Sequence, residues 1–508
     1  MKTELLFSAF VLYSSSLCLA NTEKRPNIIF ILADDMGFGD ISYLNGGSKI
    51  KTYNLDMMAD EGAVLMDCHS SSSVSTPTRY GILTGRYNWR STLKQGVLNG
   101  YSKALIPSTR ETMASMLKKQ GYNTGAIGKW HLGWDWYNID AGIKNIDYGK
   151  PIKNGPTTLG FDYFYGFCGS LDMPPYVYVE NDMPTAIPDT ITENKGKYSW
   201  WRKGPTSSDF RHEEVLSHII EKGCKYILEK SKSSDPYFLY LPLPAPHTPI
   251  LPTDEFSGKS GIGEYGDYVL RVDAMVGKIL DAAKKSGEDN NTIIVFTADN
   301  GCSPAAGISI MEEKGHHSNY IYRGHKADLY DGGHRIPCLV RWPSKISHHK
   351  IQQTVCLTDF YATFAAINDY NLLDTEGEDS YNILPALYSV KEVSTIREAT
   401  VHHSINGEFT IRQGKWKLLL SASSGGWSYP RPGKNDSIIK NLPSMQLYDM
   451  ESDPSERHNL VNDYPNKVQE LKSLLLCYIN EGRSTPGISQ KNDKGNTWKQ
   501  VEKIRKLM

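Results

Sequence analysis

With 508 residues, the chain is long enough for one large domain and a smaller one. Its 56 basic and 57 acidic side chains exclude the basic surplus of a nucleic-acid-binding protein. Eight cysteines, scattered without close pairs or zinc-like spacing, exclude a disulfide scaffold and a thiolate zinc site.

Residues 1–20 have the layout of a secretory signal peptide. Lys2 supplies a positive start, residues 5–12 an apolar stretch, and Cys18-Leu19-Ala20 a cleavage site. The segment is too short and serine-rich to span a bilayer, and Leu17 stands where a lipoprotein signal needs a small residue. The mature chain is therefore expected to be periplasmic or secreted, cleaved near Ala20, with no stable membrane association.

Residues 27–33 form a near-continuous apolar run, as in a parallel strand buried on both faces, and end in Asp34-Asp35-Met36-Gly37. Residues 75–86 read as a loop entering a helix, with Pro77 in its first turn. Taken alone, Ser75 there reads as a helix cap. Arg79, one turn on, can point its fork towards the same helix start, where free N–H groups favour an anion. A helix over 112–121 and a strand over 123–127 follow, the strand closing on Gly128-Lys129-Trp130-His131.

Residues 134–207 are rich in aromatics, Gly and Pro and weak in periodicity, which predicts long loops over an active face. The spacing then predicts a helix over 213–230, a strand over 236–243, a helix over 268–285 and a strand over 292–297. The last strand ends in Asp299-Asn300. These alternations predict a doubly wound α/β sheet. From about residue 386 short alternating strands and one helix, near 464–481, predict a small antiparallel sheet, and the basic tail from about 491 is expected to be mobile.

Asp34, Asp35, Asp299 and Asn300 all fall just after strands, where open α/β sheets bind ligands. Each pair is also an ordinary turn sequence, but together they make a hard oxygen site suited to Ca²⁺ or Mg²⁺ rather than zinc.

Ser-x-Pro-x-Arg at 75–79 with Leu83-Thr84-Gly85-Arg86 resembles the signature of the type I sulfatases, in the alkaline-phosphatase superfamily. Thr78 stands where Ser or Ala is usual there. Gly-Lys-Trp-His at 128–131, Ala-Pro-His-Thr-Pro at 245–249, Arg-Gly-His-Lys at 323–326 and Asp331-Gly332-Gly333-His334-Arg335 extend the match, with Asp331 in place of the usual Glu. Lys-Trp-Lys-Leu at 415–418, Leu-Tyr-Asp at 447–449 and Asp453-Pro454-Ser455-Glu456 resemble the family's C-terminal subdomain.

The resemblance implies a large mixed, mostly parallel sheet sandwiched by helices, with a smaller C-terminal antiparallel sheet plus helix. It divides the chain into signal peptide 1–20, catalytic domain 21–385 and C-terminal subdomain 386–508. It implies that Ser75 is oxidised to formylglycine by an anaerobic radical maturase acting before export. It further implies a metal held by Asp34, Asp35, Asp299 and Asn300, with Ca²⁺ preferred to Mg²⁺ because irregular coordination suits the more flexible ion. Arg79, Lys129, His247 and Lys326 would bind sulfate and leaving-group oxygens, and His131 would hydrogen-bond the nucleophilic hydroxyl.

The expected reaction is hydrolysis of a carbohydrate sulfate ester, on galactose or N-acetylgalactosamine, with Asp172 gripping sugar hydroxyls and His334 and Arg335 facing the cleft. The alternatives are another sugar sulfatase (glucosamine or uronate), a phosphodiesterase or phosphonate monoester hydrolase of the same superfamily, and a non-catalytic sugar-binding relative.

Overall fold

A computed structural model of the protein describes residues 24–139, 142 and 145–507, so the signal peptide expected over 1–20 lies outside the described residues. Ten strands build the main sheet. They are β1 (Asn27–Ala33), β2 (Ala63–Leu65), β3 (Asn123–Lys129), β4 (Tyr163–Phe167) and β5 (Val179–Glu180). The others are β6 (Met183–Pro184), β7 (Tyr237–Pro242), β8 (Thr292–Ala298), β9 (Cys338–Arg341) and β10 (His349–Ile351). Their spatial order is β10-β2-β9-β8-β1-β7-β3-β4-β5-β6. The five strands β8, β1, β7, β3 and β4 are mutually parallel, and antiparallel strands flank them on both sides.

Every residue of β1 is buried, as its unbroken apolar run requires of a strand covered on both faces. Phe30, paired with Tyr240 and Val295, meets Phe360 and Phe364 edge-on. Burying one such ring is worth about 2–3 kcal/mol. The helix carrying those two rings, Asp359–Ile367, covers one face together with α1 (Ser75–Thr84) and Met113–Lys119. Leu241 points the other way, towards Gly223 of the helix Val215–Lys230, which packs beside Glu264–Lys285. The latter begins a turn before the expected start at 268.

The expectation of loops over 134–207 is only partly met. The stretch supplies β4, inside the main sheet, the edge strands β5 and β6, and a separate hairpin of Pro188–Asn194 with Trp201–Ser207. Gly166 is the reason β4 was not legible. An added Cβ there would lie 1.9 Å from the Gly128 carbonyl oxygen, so the glycine marks a close strand approach and not a loop.

Beyond the sheet, β11 (Thr400–His403), β12 (Phe409–Gln413), β13 (Trp416–Leu419) and β14 (Gln446–Asp449) form the expected antiparallel sheet, covered by Pro465–Glu481. The tail corrects another expectation. Lys499–Lys506 is a helix whose Val501 and Ile504 are buried against that small core.

Candidate active site

β1 and β8 are parallel neighbours with Ala33 opposite Ala298, so the residues that leave their carboxyl ends emerge together. Asp35 turns the chain with a positive φ of 62° and donates its N–H to Asp299 Oδ1 at 3.1 Å. Asn300 Nδ2 donates to Asp35 Oδ1 at 2.7 Å. Asp34, Asp35, Asp299 and Asn300 are all buried.

Ser75 is the first residue of α1, and Val74 before it is extended and caps nothing with its side chain. Ser75 Oγ donates to Asp34 Oδ1 at 3.2 Å, so the hydroxyl serves the carboxylate cluster rather than its own helix. Arg79 follows one turn later on the same face. Its guanidinium donates to Asp299 Oδ2 at 3.0 Å and to the Lys129 carbonyl at 3.1 Å, and lies 3.7 Å from Asp34. Lys129, at the end of β3, ion-pairs with Asp34 and reaches Ser170 Oγ at 3.2 Å. Lys326 Nζ lies 2.7 Å from the Asp35 carboxylate. His247 Nε2 is 3.6 Å from Asp35, and its Nδ1 is 3.3 Å from Ser170 Oγ.

Three buried carboxylates thus face the basic side chains of Arg79, Lys129 and Lys326, themselves buried, and burial lowers the Lys129 ammonium from its ordinary value. Burial would raise the Asp34 carboxyl, but Lys129, His247, Arg79 and Lys326 together hold it well below its ordinary range. Asp299 is pushed up to about 6 by burial and by the Asp34 charge beside it. Burial, Lys129 and Arg79 hold His131 well below its usual value, so it is neutral. Its Nε2 faces the Leu98 carbonyl at 2.8 Å and must donate there, which leaves a bare, buried and unpartnered Nδ1.

The donor set fits a hard divalent cation. Carboxylate oxygens of Asp34 and Asp35 lie within 4.8 Å of each other, and the Asp299 carboxylate meets the Asp35 backbone N–H beside them. Asn300 Oδ1 is buried with no hydrogen-bond partner, as an amide oxygen reserved for a cation would be.

Asp172 lies two residues beyond Ser170. One of its oxygens pairs with Arg202 of the hairpin, and the other, Oδ1, is buried and unpartnered. His334 and Arg335 are not brought to the cluster, which corrects the expectation that they face the cleft. His334 packs between His69 and His402, with ring centroids 5.1 and 4.1 Å away. Arg335 pairs with Asp67 at 3.1 Å and lies over the Tyr322 ring. The short helix Asp331–His334 turns His334 towards the C-terminal sheet, where Lys417 holds Asp331 at 2.6 Å.

Ser170 and Arg202 are the residues that sequence reasoning missed. Ser170 sits inside a segment that already pointed to the site. Arg202 lies in a hairpin with no local signature.

A hydroxyl on a helix N-terminus, a buried hard-metal donor set and a ring of cations together define a hydrolase for tetrahedral oxyanion esters. The chain belongs to the sulfatase family: the Sulfatase family model matches residues 26–370. It is accordingly a sulfuric ester hydrolase. It is 32 % identical over 492 residues to an N-acetylgalactosamine-6-O-sulfatase of Bacteroides thetaiotaomicron, covering 89 % of this chain and 93 % of that protein. It is 27 % identical to the N-acetylgalactosamine-6-sulfatase of Rattus norvegicus, over 92 % of this chain and 87 % of that one. A solved 6S-sulfatase structure from a study of glycosaminoglycan metabolism by Bacteroides thetaiotaomicron superposes with a TM-score of 0.78 at 32 % identity, covering 89 % of this chain and 98 % of that one. This agrees with the expected alkaline-phosphatase-like fold.

Proposed function

We propose that the protein is an exported carbohydrate sulfatase that removes the 6-sulfate of N-acetylgalactosamine, or of galactose with the same axial O4. The observation that carries this reading is the likeness, along nearly the whole of both chains, to the bacterial 6-O-sulfatase, in a molecule whose Ser75, carboxylates and cations converge on one point. A calcium ion on Asp34, Asp35, Asp299 and Asn300 would supply Lewis acidity and neutralise charge. Formylglycine made from Ser75 would, once hydrated, supply one hydroxyl to attack sulfur and a second whose deprotonation expels sulfate.

This chain's own residues do the rest. Arg79, Lys129 and Lys326 hold the sulfuryl oxygens and compensate the charge that grows on them. His247, the more exposed of the two site histidines, gives a proton from Nε2 to the leaving sugar oxygen. His131, neutral and with a bare Nδ1, accepts the proton of a hydroxyl at position 75. Asp172, steered by Arg202, offers Oδ1 to a sugar hydroxyl. An anaerobic radical maturase supplies the oxidised residue before export. The leader and the absence, among the described residues, of any helix long and apolar enough to cross a membrane support a periplasmic or secreted product.

The test is sulfate release by matured protein from the 6-sulfates of N-acetylgalactosamine, galactose and N-acetylglucosamine, beside an aryl phosphodiester. Preference for the first two is expected. Faster turnover of the phosphodiester than of every sulfate would overturn the reading in favour of a phosphodiesterase.

A further inference from the structure

Three histidines from distant segments meet beside the stretch that leads into α1. His69 lies on the short strand Cys68–His69, His334 ends the helix Asp331–His334, and His402 belongs to β11. All three are buried, and one ring nitrogen from each lies within 4.8 Å of the other two.

Their outer partners fix the tautomers. His69 Nε2 meets Asp67 Oδ1 at 2.9 Å, His334 Nε2 meets the Leu329 carbonyl at 3.0 Å, and His402 Nδ1 meets the Ser70 carbonyl at 2.8 Å. A carboxylate or carbonyl oxygen only accepts, so each of those nitrogens carries the hydrogen. Lys417 and Arg412 approach the same outer nitrogens of His334 and His69 at 3.3 and 3.4 Å, but Asp331 and Glu456 hold the one and Asp67 the other. The lone pairs that remain are on His69 Nδ1, His334 Nδ1 and His402 Nε2.

The first two face each other at 2.9 Å, where two bare nitrogens repel unless a cation lies between them. The third is buried and has no hydrogen-bond partner among the described residues. A proton could join His69 to His334 but would leave His402 unserved, whereas a metal ion takes all three. Burial also disfavours the imidazolium form of each ring, and neutral imidazole is the form that binds metal. A carboxylate and two carbonyls behind the rings are the outer partners that orient metal-binding histidines. An all-nitrogen set suits Zn²⁺ and not the hard ions of the carboxylate cluster. The His334 and His402 rings stack at 4.1 Å and 11° from parallel, so sharing an ion requires one imidazole to turn about its Cβ–Cγ bond.

We infer that His69, His334 and His402 form a second metal site, one for Zn²⁺, that ties the approach to α1 to the C-terminal sheet. Ser70, whose carbonyl holds His402, lies five residues before Ser75, so the ion would brace the segment that delivers the catalytic residue without touching substrate.

The test uses the full chain with serine at position 75, stripped by a chelator and kept in excess Ca²⁺ so that the oxygen site is filled. Calorimetric titration with Zn²⁺ is expected to show one ion per chain with a Kd of about 1 µM or tighter, and a rise in melting temperature. His402→Gln and, separately, His69→Gln should each weaken Zn²⁺ by at least about 100-fold and abolish the rise, with Ca²⁺ affinity unchanged. Failure of the wild type to bind Zn²⁺ in excess Ca²⁺, or full affinity in both variants, overturns the site. Since a variant in so packed a cluster can fail to fold, X-ray absorption at the zinc edge of the wild type decides independently. Imidazole ligation is expected there, and a shell of oxygens alone would refute the assignment.

Discussion

Ser75 Oγ donates to Asp34 Oδ1 at 3.2 Å although it begins a helix whose N–H groups would have welcomed it. The residue is therefore separable from the stability of α1. Ser75→Ala is expected to abolish sulfate release, by about 10⁵-fold or more, as when a nucleophile is removed elsewhere. It should cost only about 1 kcal/mol for one lost hydrogen bond, a shift of about 1 °C in melting temperature for a chain of this size. Wild-type protein shown by mass spectrometry to carry only serine should be equally inert, and sustained turnover by it would contradict the role given to the oxidised residue.

Chelation tests the metal set. Activity of matured protein should vanish after exhaustive treatment with a calcium chelator and return with Ca²⁺ more fully than with Mg²⁺. Calcium at a hundred times its Kd should stabilise the fold by about 2.7 kcal/mol, visible as a rise in melting temperature. Asn300→Ala should weaken that rise, since it removes the buried amide oxygen that has no other partner. Zinc restoring activity better than calcium would argue against an oxygen-ligand site.

Asp172 offers a test of sugar recognition. Its replacement by Ala is expected to reduce kcat/KM on the sulfated sugar by about 10–100-fold, the worth of a charged hydrogen bond, and to leave a small aryl sulfate nearly unaffected. Arg202→Ala should reproduce part of this, because the guanidinium holds the carboxylate by one oxygen and leaves the other free. Equal losses on both substrates would show that Asp172 acts on the scaffold and not on the sugar.

How much of this was legible depends on where each residue sits. Asp34 and Asp299 could be read because each directly follows a strand apolar enough to be recognised, and the parallel register carries both to one place. Ser75 was legible as a site only through the extended motif, because its own surroundings read as a helix cap and the direction of its hydroxyl is decided by the carboxylate across the cluster. His334 and Arg335 were expected to face the cleft because their segment matches the family's pattern, which says nothing of the partners that draw them elsewhere. The structure makes that segment a helical turn facing Asp67 and Lys417, charges contributed from far along the chain. Arg202 is brought to Asp172 by a tertiary contact, which no local pattern encodes.

The same buried junction carries a pH dependence. Glu456 lies 2.7 Å from Lys417 and accepts the Asp331 N–H at 2.7 Å. Burial raises its carboxyl to about 7 against the attraction of Lys417, with the Asp331 charge adding to the rise. A carboxyl raised on folding binds its proton more tightly in the native state. Its contribution to stability is present below its ordinary value near 4.5 and is lost as pH climbs through about 7. The melting temperature of the wild type should therefore fall relative to Glu456→Gln between pH 5 and 8. A constant difference across that range would show that Glu456 is ionised throughout.

Gly166 connects the backbone to catalysis. It faces Gly128 across β3 and β4, and the residue after Gly128 is Lys129, whose ammonium reaches Asp34. Gly166→Ala would press a methyl group into the Gly128 carbonyl at 1.9 Å, against backbone that has no rotamer with which to yield. Strand separation is the only relief, at a cost of about 1–3 kcal/mol or more. Because the displaced strand end is the one that carries Lys129, the variant should lose kcat on an aryl sulfate by more than its melting temperature alone would suggest. Gly287→Ala, at an open loop position with a positive φ and nothing within 4 Å, is the control. It should lower stability through backbone strain while leaving kcat intact. Parallel loss of kcat in both variants would mean that activity follows global stability and not the placement of Lys129.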